Sequence, residues 1–235
     1  MRSFQWIPIL SNLAVVGFAP MTIAAPIQAE NSECPTAGFH VPAAFNILEA
    51  SIRRDREEVI FRMVVRGDAG VEKPTPTGNI VGSEILAYAW PTTLESADVG
   101  FPPEQGIATL AVTYHPDFGD SAGGSDNRDS WHPHWILLEE DDRCDAGYKA
   151  SVISLPDQGG PLPLIKSTPV LKTSTDGTAI EVRVPSADLT SVAGTNFDAL
   201  VMRLEVRSAA EDPDLCVAAL IDIASGEFNM SGEVE

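Results

Sequence analysis

Strict alternation of apolar and polar residues is the feature that most constrains how this chain can fold. Phe61, Met63 and Val65 fall on one side of an extended segment over residues 59–66, and Arg62 falls on the other. The same alternation recurs over residues 178–184 and 200–207. A period of two is the repeat of a β-strand that rests one side on a hydrophobic core. The pattern therefore predicts strands rather than helices.

Continuously apolar segments bounded by turn-forming residues add further strands. They span residues 82–90, 106–114, 134–139 and 147–155. The last long apolar run, residues 215–223, has an Ala-rich centre that a helix would tolerate, but its Val and Ile content favours a strand. We therefore expect an all-β fold, an antiparallel β-sandwich of about nine or ten strands.

The N-terminal segment has the pattern of a secretory signal peptide. Arg2 precedes a mostly apolar run, residues 7–19, and small residues follow it. The run is shorter than the roughly 20 apolar residues of a comfortable membrane span, so we expect no membrane insertion. We expect cleavage after Ala29, with cleavage after Ala24 as the alternative, because cleavage after Ala25 would leave a proline first. A periplasmic or secreted protein follows from this interpretation.

The expected mature chain is one acidic domain, residues 30–235. Removal of residues 1–29 from the 235 would leave 206 residues with 14 basic and 34 acidic side chains, a formal net charge of −20. That length suits a single hydrophobic core. Such a charge repels nucleic acid and anionic lipid, so neither is an expected partner, whereas cations remain possible partners.

Three cysteines, Cys34, Cys144 and Cys216, lie in the expected mature chain. In an oxidising compartment two of them should form a disulfide and leave one thiol. All three pairings stay open, because the spacing selects none of them.

Three of the four histidines lie at the two ends of one loop. His115 follows one predicted strand, and His132 and His134 begin the next. Because residues two apart on a strand project to the same side, His132 and His134 should point together. Trp131 and Trp135 should point the opposite way. If the two strands are neighbours, all three imidazoles can converge.

This arrangement predicts a site for a divalent metal ion or a small ligand. The candidate ligands are His115, Asp117, His132, His134, Asp120 and Asp126. Imidazoles with a carboxylate suit zinc or copper, whereas oxygen donors from the acidic loop would suit calcium. The structural alternative is that Pro116 and Pro133 shape turns and that the histidines hydrogen-bond the loop backbone.

Two resemblances accompany these residues. The blocks at 114–118 and 131–135, YHPDF and WHPHW, resemble those of uncharacterised bacterial secreted proteins in which a loop rich in Asp, Asn and Gly joins the same blocks. The loop here has fewer Asp and Asn residues, which favours zinc or copper over calcium. The segment 177–189 is similar to the late strand and turn of DOMON-type and carbohydrate-binding β-sandwiches, whose members bind sugars or haem.

A non-catalytic binding module is the main functional hypothesis. The chain lacks a Gly-x-Ser-x-Gly elbow, a His-Glu-x-x-His motif and a phosphate-binding glycine loop. One alternative is a carbohydrate- or haem-binding DOMON-like module. Sugar binding would need exposed tryptophans, for which Trp90, Trp131 and Trp135 are the candidates. Haem binding would need an exposed Met/His or His/His axial pair, and Met63 is predicted to be core. The other is a metal-dependent hydrolase with a metal-bound water at the three histidines.

Overall fold

A computed structural model describes residues 26–29, 41–119, 128–152, 172–173, 177–187, 189, 192–207 and 215–234. It contains thirteen β-strands and two short 3-10 helices, Ala43–Phe45 and Ser96–Val99. The strands are β1 (Ile27–Gln28), β2 (Ile47–Asp55), β3 (Glu58–Val65), β4 (Glu84–Pro91), β5 (Ile107–Tyr114), β6 (His132–Glu140), β7 (Tyr148–Val152), β8 (Lys172–Thr173), β9 (Ala179–Pro185), β10 (Asn196–Phe197), β11 (Leu200–Val206), β12 (Leu215–Ile223) and β13 (Gly232–Glu233). The predicted all-β class is confirmed. Within the described ranges, neither helix has the length or apolar character needed to cross a bilayer.

Six of the strands close into an antiparallel barrel. Its order is β11-β12-β7-β6-β5-β4, and β11 pairs back to β4. A five-stranded sheet, β1-β2-β3-β9-β8, and a two-stranded ribbon, β10-β13, complete the described fold. Nine of the thirteen strands have five or more residues, but the predicted β-sandwich of nine or ten strands is not confirmed, because six of the strands form a closed barrel.

Strands β4 and β5 form the wall of the barrel on which the five-stranded sheet packs. Three of their alanines, Ala87, Ala89 and Ala111, belong to the cluster that fills the barrel. Tyr88, Trp90 and Leu110 point outward and belong to the cluster shared with the five-stranded sheet. Strands buried on both sides are apolar at most positions, which is why these two have long apolar runs that only Glu84, Thr109 and Thr113 interrupt. Small residues on the inner side suit the narrow interior of a small barrel.

An aromatic layer joins the sheet to the outside of this wall. Phe61 of β3 makes edge contacts with Trp90 and Trp135, at ring-centroid distances of 6.1 and 6.0 Å. Such pairs contribute about 0.5–1.5 kcal/mol beyond their buried area. The outward side of β6 is therefore anchored to the sheet, which fixes the direction of its inward side.

A disulfide between Cys144 and Cys216 joins the turn after β6 to β12, with a Cα–Cα distance of 5.1 Å. The structure thus selects one of the three pairings that the sequence left open, and Cys34 lies outside the described residues. The bond closes a loop with a sequence separation of 72. In the chain-entropy model a loop of that size stabilises the fold by about 4 kcal/mol.

Asp198, at the junction of β10 and β11, is a fully buried carboxylate. It accepts hydrogen bonds from the amide and hydroxyl of Ser225 and from the amide of Asn229, at 3.3, 2.5 and 3.1 Å. A buried charge is tolerated when donors surround it in this way. Asp198 therefore holds the loop that follows β12.

Replacing Asp198 should therefore be costly. We expect Asp198→Ala to lower the free energy of unfolding by about 3–5 kcal/mol, because several buried donors lose their acceptor. Asp198→Asn, which keeps one acceptor oxygen, should cost less. Urea titration monitored by tryptophan fluorescence measures both. If Asp198→Ala lowers the free energy of unfolding no more than the exposed control Asp142→Ala does, the role of Asp198 is contradicted.

Asp222 of β12 joins the barrel to the sheet. Its carboxylate accepts hydrogen bonds from the amides of Ile47 and Ile223, at 2.7 and 3.1 Å. Burial raises the pKa of Asp222 above the ordinary carboxyl value of 3.8, and the two hydrogen bonds only partly oppose it. The ionised form is therefore disfavoured in the folded protein relative to the unfolded chain.

This raised pKa predicts a pH-dependent effect of Asp222→Asn, which keeps an acceptor but removes the charge. A raised folded-state pKa costs stability above that pKa, and the cost disappears as the pH falls toward 3.8. We expect the gap between the two melting temperatures, variant minus parent, to be largest at pH 7 and to decrease on acidification. Thermal scans across that pH range test this, and a gap that is constant or widens would refute it.

Candidate metal centre

The pairing of β5 with β6 directs two histidines into the barrel. Thr113 lies opposite His132, and Ala111 lies opposite His134. Residues opposite each other on adjacent strands project to the same side, and Ala111 belongs to the barrel interior. His132 and His134 therefore point inward at the end of the barrel where β6 begins. The sequence-based prediction that they project together agrees with this register.

His115 completes the group from the end of β5. One ring nitrogen from each of His115, His132 and His134 lies within 4.8 Å of the other two. The ring of His132 is 4.6 Å from that of His115 and 4.7 Å from that of His134, measured between centroids. His115 and His132 are only 3% and 9% exposed, and His134 is half-buried. Three imidazole nitrogens thus lie close enough together to be ligands of a single ion.

Backbone carbonyls fix the tautomers of two of these histidines. Nδ1 of His115 lies 2.8 Å from the carbonyl oxygen of Phe118, and Nδ1 of His132 lies 2.8 Å from that of Ser130. Because a carbonyl oxygen only accepts, each Nδ1 must carry hydrogen and donate it. In the neutral rings Nε2 is then the atom that carries the acceptor lone pair. A carbonyl behind the ring is the usual outer partner of a metal-binding histidine.

The two Nε2 atoms of His115 and His132 face each other at 2.8 Å. Two lone pairs at that distance repel, so the contact is favourable only when a cation, either a proton or a metal ion, lies between them. An ion bound tetrahedrally at about 2.05 Å from both nitrogens would hold them about 3.3 Å apart. A small separation of the rings is therefore enough to admit a metal.

Phe118 supports His115 in a second way. The two rings stack with centroids 4.3 Å apart and an angle of 9° between their planes, and Phe118 also packs against the barrel interior. The supporting roles of Phe118 and of the Ser130 carbonyl were missed from the sequence. Phe118 stands in the same block as His115, but a carbonyl contact leaves no sequence signal.

No protein-family model, curated protein or solved structure matches this chain. What the site does must therefore be inferred from its own geometry. The two resemblances drawn from sequence blocks stay predictions.

Asp117 lies outside the histidine group. Its carboxylate accepts hydrogen bonds from the amides of Thr77 and Gly78, at 2.8 and 2.6 Å. Partial desolvation acts to raise the pKa of Asp117, but these amides and the Thr77 hydroxyl together lower it below its ordinary value. Its predicted role as a fourth ligand is thus not confirmed, and Asp120 and Asp126 lie outside the described residues. The donors brought together are all imidazole nitrogens.

The tryptophans lie on the other side of β6. Trp131 donates its indole N–H to the carbonyl of Gly70 at 2.9 Å. Gly70 has φ +73°, and a Cβ there would lie 2.8 Å from the indole nitrogen, so only glycine fits. Trp131 and Trp135 pack against the shared core, and Trp90 is fully buried. The predicted opposition of tryptophans and histidines therefore agrees with the structure.

These positions give little support to sugar or haem binding. None of the three candidate tryptophans offers an exposed ring, and Met63 is fully buried in the core, as the alternation predicted. The 2.8 Å between Nε2 of His115 and Nε2 of His132 is also too small a gap for a porphyrin.

Removal of the Asp117 carboxylate should loosen the loop that it holds. In Asp117→Ala, the amides of Thr77 and Gly78 lose their acceptor. We expect their hydrogen exchange to accelerate by about tenfold or more, since each lost bond to a carboxylate is worth about 1.5 kcal/mol or more. Exchange measured by NMR checks this, with Asp142→Ala as the control carboxylate deletion. Unchanged exchange at both amides would show that Asp117 does not hold the loop.

Proposed function

We propose that the protein is an exported, non-catalytic domain that binds one divalent transition-metal ion through His115, His132 and His134. The observation that carries the proposal is the facing pair of Nε2 atoms, 2.8 Å apart, on rings whose Nδ1 atoms are committed to carbonyls. Both lone pairs are thereby preorganised toward one point. A cation at that point removes their repulsion.

Zinc or copper suits this donor set better than calcium. The described group consists of three imidazoles and contains no carboxylate, and imidazole nitrogen is a ligand for zinc and copper, whereas calcium takes oxygen. The formal net charge of −19 also concentrates cations near the protein. This charge increases the encounter rate with a metal ion without deciding which ion binds.

The decisive measurement is metal binding by the purified, chelator-treated chain. We expect calorimetry to give one zinc or copper ion per chain and no calcium at the same site. At a metal concentration of about 100 times the dissociation constant, the folded state gains about 2.7 kcal/mol, which should raise the melting temperature by about 5–10 °C.

Variants test the ligands individually. We expect His132→Gln to weaken binding by about 100-fold or more, because it removes one ligand and leaves Nε2 of His115 without its partner. His40→Gln, at the remaining histidine of the chain, is the matched control and should bind normally. Failure to bind zinc or copper, or equal losses in the two variants, would refute the proposed site.

A metal-dependent hydrolase is the second candidate, because three protein ligands leave a fourth position that a water molecule can take. The described group supplies no carboxylate to act as a general base, which favours the non-catalytic role. Hydrolysis of an activated ester by the metal-loaded protein distinguishes the two. If the protein is non-catalytic, we expect the same rate of ester hydrolysis for the parent and for His132→Gln.

A further inference from the structure

Residues 26–29 are part of the folded domain. In β1, Ile27 pairs with Ala50 and Gln28 with Glu49, which makes β1 an edge strand of the five-stranded sheet. The amide of Ala29 continues the pairing by donating to the carbonyl of Leu48 at 3.1 Å. Cleavage after Ala29 would remove this strand and leave the backbone groups of β2 without partners along that edge.

The side chain of Ile27 is also built into the packing. Ile27 packs against the core shared by the sheet and the barrel. A Cβ placed on Gly232 of β13 would lie 2.7 Å from Cδ1 of Ile27 and 2.7 Å from Cε1 of Phe197. The φ of Gly232 is not in the left-handed region, so the glycine is needed for this close approach rather than for its conformational freedom. Ile27 thus joins the first described strand to the last.

We propose that the predicted leader is removed after Ala24, so that the mature chain begins at Ala25 and keeps β1. A signal peptidase would hydrolyse the Ala24–Ala25 amide bond, with water supplying the hydroxyl of the new carboxyl group and the hydrogen of the new amine. Ala24 and Thr22 place small side chains at the two positions that such a peptidase reads. Cleavage one residue later would put Pro26 first, and cleavage after Ala29 would destroy part of the fold.

The direct test is the intact mass of the full chain after export from a bacterial host. We expect a single species that begins at Ala25. A species that begins at Glu30, or an unprocessed chain that begins at Met1, would overturn the proposal. Neither result depends on whether the protein binds metal.

Two matched variants locate the cleaved bond. Ala24→Leu places a large side chain next to the proposed bond and should abolish cleavage there, leaving the unprocessed chain or a different N-terminus. Ala29→Leu makes the same change at the competing bond and should still give a chain that begins at Ala25. The reverse pattern would assign the cleavage to Ala29.

Stability measurements test whether β1 stabilises the fold, which is the physical reason for proposing cleavage after Ala24. We expect the chain from Glu30 to melt several degrees, about 3–8 °C, below the chain from Ala25, because it lacks the β1 pairing and the Ile27 contact. Ile27→Asn in the longer chain should reproduce part of that loss, and Gln28→Asn, at an exposed position of the same strand, should not. Equal melting temperatures of the two chains would show that β1 does not stabilise the fold, and the physical argument for keeping residues 25–29 would be overturned.

Discussion

The wall formed by β4 and β5 is the constraint on which the rest of the structure depends. Both of its sides are buried, one inside the barrel and one against the five-stranded sheet. Most of their residues are therefore apolar on both sides, with small residues such as Ala87 and Ala111 on the inner side and large ones such as Tyr88 and Trp90 on the outer side. The five-stranded sheet packs on these two barrel strands, so a shift in their register would disturb both the barrel and the packing of the sheet against it.

The candidate metal centre follows from the same alternation. Trp131, just before β6, and Trp135, within it, pack outward against the core and fix the strand, while His132 and His134 take the inward positions at the barrel end. The carbonyls of Phe118 and Ser130 then orient the rings. Because His115 and His132 are buried, a cation there would interact strongly with their nitrogens, and little reorganisation would be needed.

Buried polar groups connect the parts that the strands do not pair directly. The Tyr88 hydroxyl accepts from the amide of Gly70 at 3.0 Å and donates to the carbonyl of Ala44 at 2.9 Å. Burial raises the pKa of Tyr88 to about 12, so the hydroxyl keeps its proton and can donate. Asp198 and Asp222 make similar links elsewhere. Each link holds a loop or a layer that the apolar contacts alone would leave less well defined.

The sequence by itself determined the all-β class, the buried position of Met63, and the opposition of His132 and His134 to the tryptophans. These follow from the period of two, which is a local property of an extended backbone. Only the tertiary structure decided the barrel closure and the Cys144–Cys216 pairing, because strands far apart in sequence must first meet. It also decided the position of Asp117: β5 ends at Tyr114, so alternation no longer predicts the side to which later residues point.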